Sequence, residues 1–154
     1  MRQSYGFAAT ALIAVTLAAA ACDNGPKNPV ITGLCQSGTC PAATDSAYFT
    51  ITLVSTSCTA KGTTITVTSP VNDKLTGDAC YQSVPKTWYV PSKTVGVSAG
   101  TPLDFTIISD QTAHAPGFRV TPVVADSTWT IEFEDGGDVD YNDVVLNIAA
   151  TPLH

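Results

Sequence analysis

The feature that most constrains the fold of this chain is a series of short segments in which apolar and polar residues alternate. In residues 48–54, Phe, Ile and Leu alternate with Thr, and in residues 129–134 Trp, Ile and Phe alternate with Thr and Glu. A period of two is that of a strand with one buried face. No segment shows a sustained helical period, so the pattern predicts an all-β protein.

About eight such segments follow one another, and turn residues separate them at intervals of roughly ten residues. We predict strands at 48–54, 63–68, 87–90, 95–98, 103–109, 118–124, 129–134 and 144–148. This spacing is typical of a sandwich or barrel, and we expect one antiparallel β-sandwich over residues 45–150. Pro122 interrupts one strand, which predicts a sheet edge or a bulge at that position.

The composition is consistent with this fold and excludes some classes of function. A chain of 154 residues can form one domain with a sizeable core. Its net charge is −6, and its few basic residues form no cluster. A protein of this charge is a poor candidate for binding nucleic acid or the surface of an anionic membrane.

The N-terminus has the pattern of an export signal. Residues 1–21 begin with Arg2 and continue with an apolar segment that is too short for a transmembrane helix. Small residues precede Cys22, and a polar segment follows, which resembles a bacterial lipoprotein signal. We predict a lipid anchor on Cys22 and a flexible linker over residues 22–44. The alternative is ordinary cleavage nearby, which would leave a soluble secreted or periplasmic protein.

The cysteine count agrees with export. Five cysteines are present, and lipidation of Cys22 leaves four, which suggests two disulfides with three possible pairings. We favour Cys35–Cys40 and Cys58–Cys80, because Gly38 makes the first loop flexible. A zinc site of four cysteines is the competing interpretation, but the spacings lack the paired short motifs of such sites.

The strongest functional signal is an acidic segment near the C-terminus. Six of the 13 acidic residues lie between Glu132 and Asp143, and no Lys or Arg follows Arg119. So many carboxylates repel one another, and a bound cation would relieve the repulsion. Oxygen ligands at alternate positions suit Ca²⁺, which accepts six to eight oxygens in a flexible geometry.

Glu134-Asp135, Gly136-Gly137-Asp138 and Asp140-Tyr141-Asn142-Asp143-Val144-Val145 together resemble the C-terminal signature of a bacterial family called domain of unknown function 4114. A weaker similarity extends over residues 97–108. The resemblance implies an exported β-sandwich or a module of a larger surface protein, with an acidic motif suspected to bind calcium.

We predict the calcium ligands from this segment. Alternation along an extended chain would place Asp138, Asp140 and Asn142 on one side, with Val139 and Tyr141 facing the core. The full predicted ligand set is Asp135, Asp138, Asp140, Asn142 and Asp143. Glu134 is a reserve ligand, because it could simply face solvent. The competing interpretation is a solvated hairpin tip without an ion, and binding of two metals remains open.

Other residues give weaker indications of catalysis or of sugar binding. The acidic segment could imitate the carboxylate pair of a glycosidase, but such pairs come from separate strands that line a cleft. His114 lies in a turn-like segment without an identifiable serine partner, so we expect a loop residue. Trp88, Tyr89 and Tyr81 could stack on sugars, although core and strand positions are the favoured interpretation.

The sequence therefore predicts an exported, lipid-anchored β-sandwich of the bacterial cell envelope with a structural calcium site. We expect a non-enzymatic binding, adhesion or matrix module that contacts an extracellular carbohydrate or protein and meets the membrane only through its anchor. The alternative is a small secreted hydrolase that acts on envelope or extracellular polysaccharide.

Overall fold

The protein is a two-layer antiparallel β-sandwich. The computed structural model describes residues 30–35, 40–58, 63–109 and 114–153. The described strands are β1 (Val30–Gly33), β2 (Ala47–Thr56), β3 (Thr64–Ser69), β4 (Asp73–Thr76), β5 (Lys86–Val90), β6 (Asp104–Ser109), β7 (Gly117–Val124), β8 (Thr128–Glu134) and β9 (Val144–Pro152). They form a four-stranded sheet in the order β1-β6-β3-β4 and a five-stranded sheet in the order β5-β2-β9-β8-β7. The predicted all-β sandwich is confirmed.

The core lies between the two sheets and is built from the alternating apolar residues. Every second side chain is buried from Ala47 to Leu53 of β2 and throughout β6, as the period of two predicted. The ring of Phe105 in β6 meets that of Phe133 in β8 edge-on, with centroids 6.1 Å apart. This contact joins the two sheets through their inner faces.

Part of the predicted linker, Val30–Gly33, belongs to the sandwich, which therefore extends before the predicted domain start at residue 45. Strand β1 pairs with β6 along its whole length. Leu34 is fully buried, and its N–H donates to the Phe105 carbonyl at 2.8 Å. Four residues between turn signals are too few to show a period, and only the neighbouring strand β6 makes them a strand.

Two further elements differ from the sequence prediction. The segment 95–98 is not a strand, because it forms only isolated bridges, one of which joins Val97 to Ala47. Strand β4 was missed because Asp73–Thr76 is short and polar at its start, and it pairs only with β3. The prediction for Pro122 is confirmed: β7 is an edge strand, and its register shifts between Pro122 and Val124.

Both favoured disulfides are present. The Cα atoms of Cys35 and Cys40 are 5.0 Å apart, and those of Cys58 and Cys80 are 5.3 Å apart. The second bond joins the end of β2 to the 3-10 turn Ala79–Tyr81 that follows β4. Four cysteines in two disulfides cannot form the alternative zinc site.

The predicted signal peptide (1–21) and the predicted lipidation site Cys22 lie outside the described residues. Within the described ranges, no helix has the length and apolar character needed to cross a membrane.

Candidate metal centre

The acidic segment closes the connection between two paired strands. Strands β8 and β9 lie side by side, and Phe133 pairs with Val144 at the end of the ladder. Glu134 and Asp143 therefore flank the entrance and exit of the same loop. The Ser57 N–H donates to the Asp143 carbonyl at 2.9 Å, which ties the loop to the end of β2.

Three carboxylates of this loop are buried together. Glu134, Asp135 and Asp143 keep only 1%, 2% and 7% of their surface exposed. Each of the three offers a carboxylate oxygen, and these oxygens lie within 4.8 Å of one another. We call Glu134, Asp135 and Asp143 the inner group.

Backbone N–H groups hold two carboxylates of the inner group in place. Oδ2 of Asp143 accepts a hydrogen bond from the Asp135 N–H at 2.7 Å. Oδ1 of Asp135 accepts one from the Gly137 N–H at 2.8 Å. A carboxylate has about four acceptor positions, so each retains capacity for a cation.

The Glu134 carboxylate is the centre around which the loop folds. Oε1 accepts a hydrogen bond from the Gly136 N–H at 2.8 Å. Oε2 accepts from the N–H groups of Asp140 at 3.1 Å and Tyr141 at 3.2 Å. One side chain thereby satisfies three loop donors that would otherwise be without a partner in the loop.

Burial disfavours the charged forms of this group. It raises the pKa of Asp143 from 3.8 to about 7, and the charges of Asp135, Glu134 and Asp138 add to the rise, while the hydrogen bond from the Asp135 backbone opposes it. Burial also raises the pKa of Asp135, against the hydrogen bond from Gly137. Without a cation, Asp143 therefore tends to hold its proton up to near neutral pH.

A second set of carboxylates lies at the surface. Asp138 and Asp140 are exposed, and an oxygen of each lies within 4.8 Å of one another and of a Glu134 oxygen. Asn142 is also exposed, and its backbone and side-chain N–H groups both donate to Asp140. We call Asp138, Asp140 and Asn142 the outer group. Glu134 borders both groups.

The loop is not the extended segment that we predicted. Residues 136–141 form bends, and Gly136 and Tyr141 have positive φ values of 93° and 59°. Val139 is 61% exposed, so the prediction that it faces the core is wrong. Tyr141 instead lies half-buried, with the Arg119 guanidinium 4.5 Å from its ring centre.

The structure divides the five predicted ligands between the inner group (Asp135 and Asp143) and the outer group (Asp138, Asp140 and Asn142), and it adds Glu134, which the sequence analysis held in reserve, to the inner group. The alternation of β8 assigns Glu134 to the outward face, together with Glu132. That alternation ends with the strand, and the loop folds back over Glu134. The sequence signal for the role of Glu134 was its position directly before Asp-Gly-Gly, because a glycine N–H can closely approach a neighbouring carboxylate.

Sulfur also borders the inner group but is not a ligand. The sulfur atoms of Cys58 and Cys80 lie within 4.8 Å of an Asp135 oxygen. Both are committed to their disulfide, so among these three side chains the Asp135 carboxylate is the one that can bind a metal. An all-oxygen donor set suits a hard cation such as Ca²⁺ and disfavours thiophilic metals.

The other candidate residues are His114 and three aromatic residues. The His114 N–H donates to the Gly136 carbonyl at 2.9 Å, which makes His114 a loop residue beside the acidic segment. Tyr89 lies in strand β5, as expected, with its side chain 39% exposed. Tyr81 lies in the 3-10 turn and is 59% exposed, so the expected core or strand position is wrong for Tyr81. Trp88 is partly buried against the core, as expected.

Comparison with known proteins gives no further assignment: no protein-family model and no curated sequence matches this chain. The resemblance of the acidic segment to domain of unknown function 4114 therefore depends on the motif alone.

Proposed function

We propose that the chain is an exported binding module of the bacterial cell envelope whose C-terminal loop is held in place by Ca²⁺. One observation carries the proposal: Glu134, Asp135 and Asp143 are buried with their carboxylate oxygens within 4.8 Å of one another. Within the described ranges, no basic side chain forms an ion pair with any of them.

The nearby cation Arg119 is engaged elsewhere. Its guanidinium pairs with Glu132 at 3.8 Å and stacks on Tyr141. Burial of a charge without a partner costs several kcal/mol, at about the scale of a domain's whole stability. A divalent ion would offset two of the three negative charges of the inner group at any pH at which the carboxylates are ionised, whereas protonation of Asp135 and Asp143 is confined to pH values below their raised pKa.

Calcium fits the donors better than other common cations. The inner and outer groups together supply carboxylate and amide oxygens on a loop of irregular geometry, and Ca²⁺ tolerates irregular coordination. Mg²⁺ demands a near-ideal octahedron and retains its waters, which suits a buried protein cage poorly.

The ion would have a structural role. The inner group lies where β8 ends and β9 begins, beside the Cys58–Cys80 disulfide and the end of β2. A cation bound there would link these elements. Because Glu134 borders both groups, its carboxylate could also bridge a buried ion and a surface ion.

Export and binding rest on separate support. Two disulfides are typical of an oxidising compartment, which agrees with the signal pattern of residues 1–21 and the proposed lipid anchor on Cys22. The exposed rings of Tyr81 and Tyr89 and the open edges of β5 and β7 are features of contact surfaces.

Thermal unfolding with calcium and with chelator tests the metal site. If Ca²⁺ binds only the folded state, it stabilises the wild type by ~2.7 kcal/mol at a concentration one hundred times Kd. Glu134→Gln should abolish this shift. The matched control is Glu132→Gln on the same strand, which removes a charge outside the site and should leave the shift intact. Equal midpoints of the wild type with calcium and with chelator would refute the calcium site.

A further inference from the structure

The outer face of the five-stranded sheet presents uncharged polar side chains from every strand. Residues directly opposite each other on neighbouring strands share a face. The pairings of the sheet place one row of side chains at the same level across all five strands: Thr87, Thr52, Asn147, Thr130 and Thr121. Neighbouring strands are about 4.8 Å apart, so the row spans the width of the sheet.

A groove of about 410 Å³ follows the middle of this face. Its lining includes Thr52, Asn147 and Thr130 from the row, and Thr50, Ala149 and Thr128 from the adjacent row. Small side chains at the centre keep the groove open. Val123 lines the side of β7, beside the register shift in that strand, and is 65% exposed. The volume lies in the range of small-molecule sites, roughly 300–1,000 Å³.

The lining has the chemistry of a site for an uncharged ligand. Among the described residues, no ionisable side chain lines the groove, although the protein carries a net charge of −6. Thr130 donates to the Asn147 carbonyl oxygen, which holds the amide in place and leaves its N–H₂ group able to donate. A hydroxyl both donates and accepts, which matches the hydroxyl groups of a sugar. The methyl groups of Thr, Ala149 and Val123 match the C–H faces of its ring.

An exposed aromatic ring continues this surface. Tyr89 on β5 pairs with Thr50, so its ring lies on the same face and next to the groove. Tyr48 contacts Tyr89 edge-on at 6.1 Å, and the Lys93 ammonium lies 4.1 Å from the Tyr89 ring centre. These contacts restrict the ring, so less freedom is lost on binding, and because the ammonium covers one face of the ring, a sugar would stack on the other.

We infer that the groove and Tyr89 form a binding site for an uncharged oligosaccharide. The inference rests on the proposed role as a binding module, and it does not depend on the metal site. The hydroxyl row would bind sugar hydroxyls, and Tyr89 would stack on a terminal ring.

The test is binding of the full chain to a panel of uncharged gluco-, manno-, galacto- and xylo-oligosaccharides, with uronic-acid oligomers as anionic probes. Titration calorimetry follows for each oligosaccharide that binds. We expect at least one uncharged oligosaccharide to bind with an affinity that changes little with salt, since an uncharged ligand forms no ion pair with the groove or with the Lys93 ammonium beside Tyr89.

Three variants locate the site. Thr52→Val/Thr130→Val removes two hydroxyls while retaining strand-forming side chains, and should weaken binding about tenfold or more. Ala149→Leu fills the groove without removing a hydroxyl, and Tyr89→Ala removes the ring. The matched control is Thr66→Val/Thr106→Val, an opposed threonine pair in the four-stranded sheet, which should bind like the wild type.

Several results would overturn the inference. These are binding of no uncharged oligosaccharide, binding of anionic oligomers alone, equal losses in groove and control variants, or self-association through this face instead of sugar binding. A calcium titration of the same preparation separates the two proposals. A calcium-dependent unfolding shift without sugar binding refutes only the sugar site, and sugar binding without that shift refutes only the calcium site.

Discussion

The inner and outer groups of the acidic loop have similar side chains in opposite environments. Glu134, Asp135 and Asp143 are buried, whereas Asp138 and Asp140 are exposed within the same loop. The exposed charges cost little, because water screens them. The buried charges are costly because no basic partner lies beside them in the described part of the chain. The same residue types are therefore costly to ionise in one place and ordinary surface groups in the other.

This difference assigns separate roles to the two groups. The inner group should determine whether an ion binds at all, since its carboxylates lose most from being without one. The outer group should adjust the affinity or hold a second, weaker ion through Glu134. Measurements on each group separately can confirm or refute this division.

The largest expected effect is that of pH on the metal-free protein. The folded pKa of Asp143 is about 7 against an ordinary value of 3.8, so the folded state holds the proton more tightly than the unfolded state. Stability in chelator should therefore fall as pH rises from about 4 to 7. One pKa unit corresponds to ~1.4 kcal/mol, which limits the loss to about 4 kcal/mol. Urea unfolding across this range measures it.

Calcium should reverse this trend. Binding requires deprotonated carboxylates, so affinity rises with pH as Asp143 and Asp135 lose their protons. If the free energy of unfolding in chelator did not change between pH 4 and 7, ionisation of the inner carboxylates would not destabilise the folded protein, and the proposed uncompensated buried charge would be refuted.

The second effect is that Asp143→Asn should change the free energy of unfolding in opposite directions in chelator and in calcium. The amide retains an oxygen that can accept from the Asp135 N–H, but it carries no charge. At pH 8 in chelator, this substitution should stabilise the protein by roughly 1–3 kcal/mol, because a buried charge is removed. In saturating calcium the variant should instead be less stable than the wild type. Destabilisation under both conditions would mean that Asp143 serves only as a hydrogen-bond acceptor.

The third effect concerns the outer group and should be smaller. Asp138→Ala/Asp140→Ala removes two exposed carboxylates and should weaken calcium binding by about tenfold, or ~1.4 kcal/mol. Its stability in chelator should stay within about 0.5 kcal/mol of the wild type, because surface changes cost little. Calorimetric titration gives both the affinity and the number of ions. Complete loss of binding in this variant, with binding intact in Asp143→Asn, would reverse the roles of the two groups.

The smallest effect is on the calcium Kd, and it should differ between variants that lack one or the other disulfide. Cys58→Ser/Cys80→Ser removes the sulfur atoms beside Asp135. It should raise the calcium Kd several-fold, since the inner group becomes more accessible to solvent and less restrained. Cys35→Ser/Cys40→Ser is the matched control, which should leave the Kd unchanged while lowering stability. Equal calcium Kd values for the two variants would show that the neighbouring disulfide has no influence on the site.

Much of the fold followed from local patterns. The alternation around Phe49 and Phe133 predicted strands whose apolar faces form the core, because an alternating strand has only one way to bury its apolar side. Pro122 predicted an edge and a bulge, because it cannot donate to a central ladder. The cysteine spacing favoured the two disulfides that form.

The candidate site was less accessible to sequence reasoning. The density of acidic residues predicted where the loop lies, but the alternation that identified β8 placed Glu134 on the wrong side. Positive φ values at Gly136 and Tyr141 turn the loop back on itself, so alternation no longer assigns faces there. Asp135 and Asp143 are eight positions apart, and nothing local indicates that they meet.

The sequence by itself determined the secondary-structure class, the registers that bury apolar faces, and the concentration of negative charge in one loop. These depend on neighbours along the chain. Only the tertiary structure decided which carboxylates lie in water and which lie against the core, and that Val30–Gly33 would complete a sheet. Burial depends on packing between distant segments, and burial is what raises the energetic cost of ionising a carboxylate.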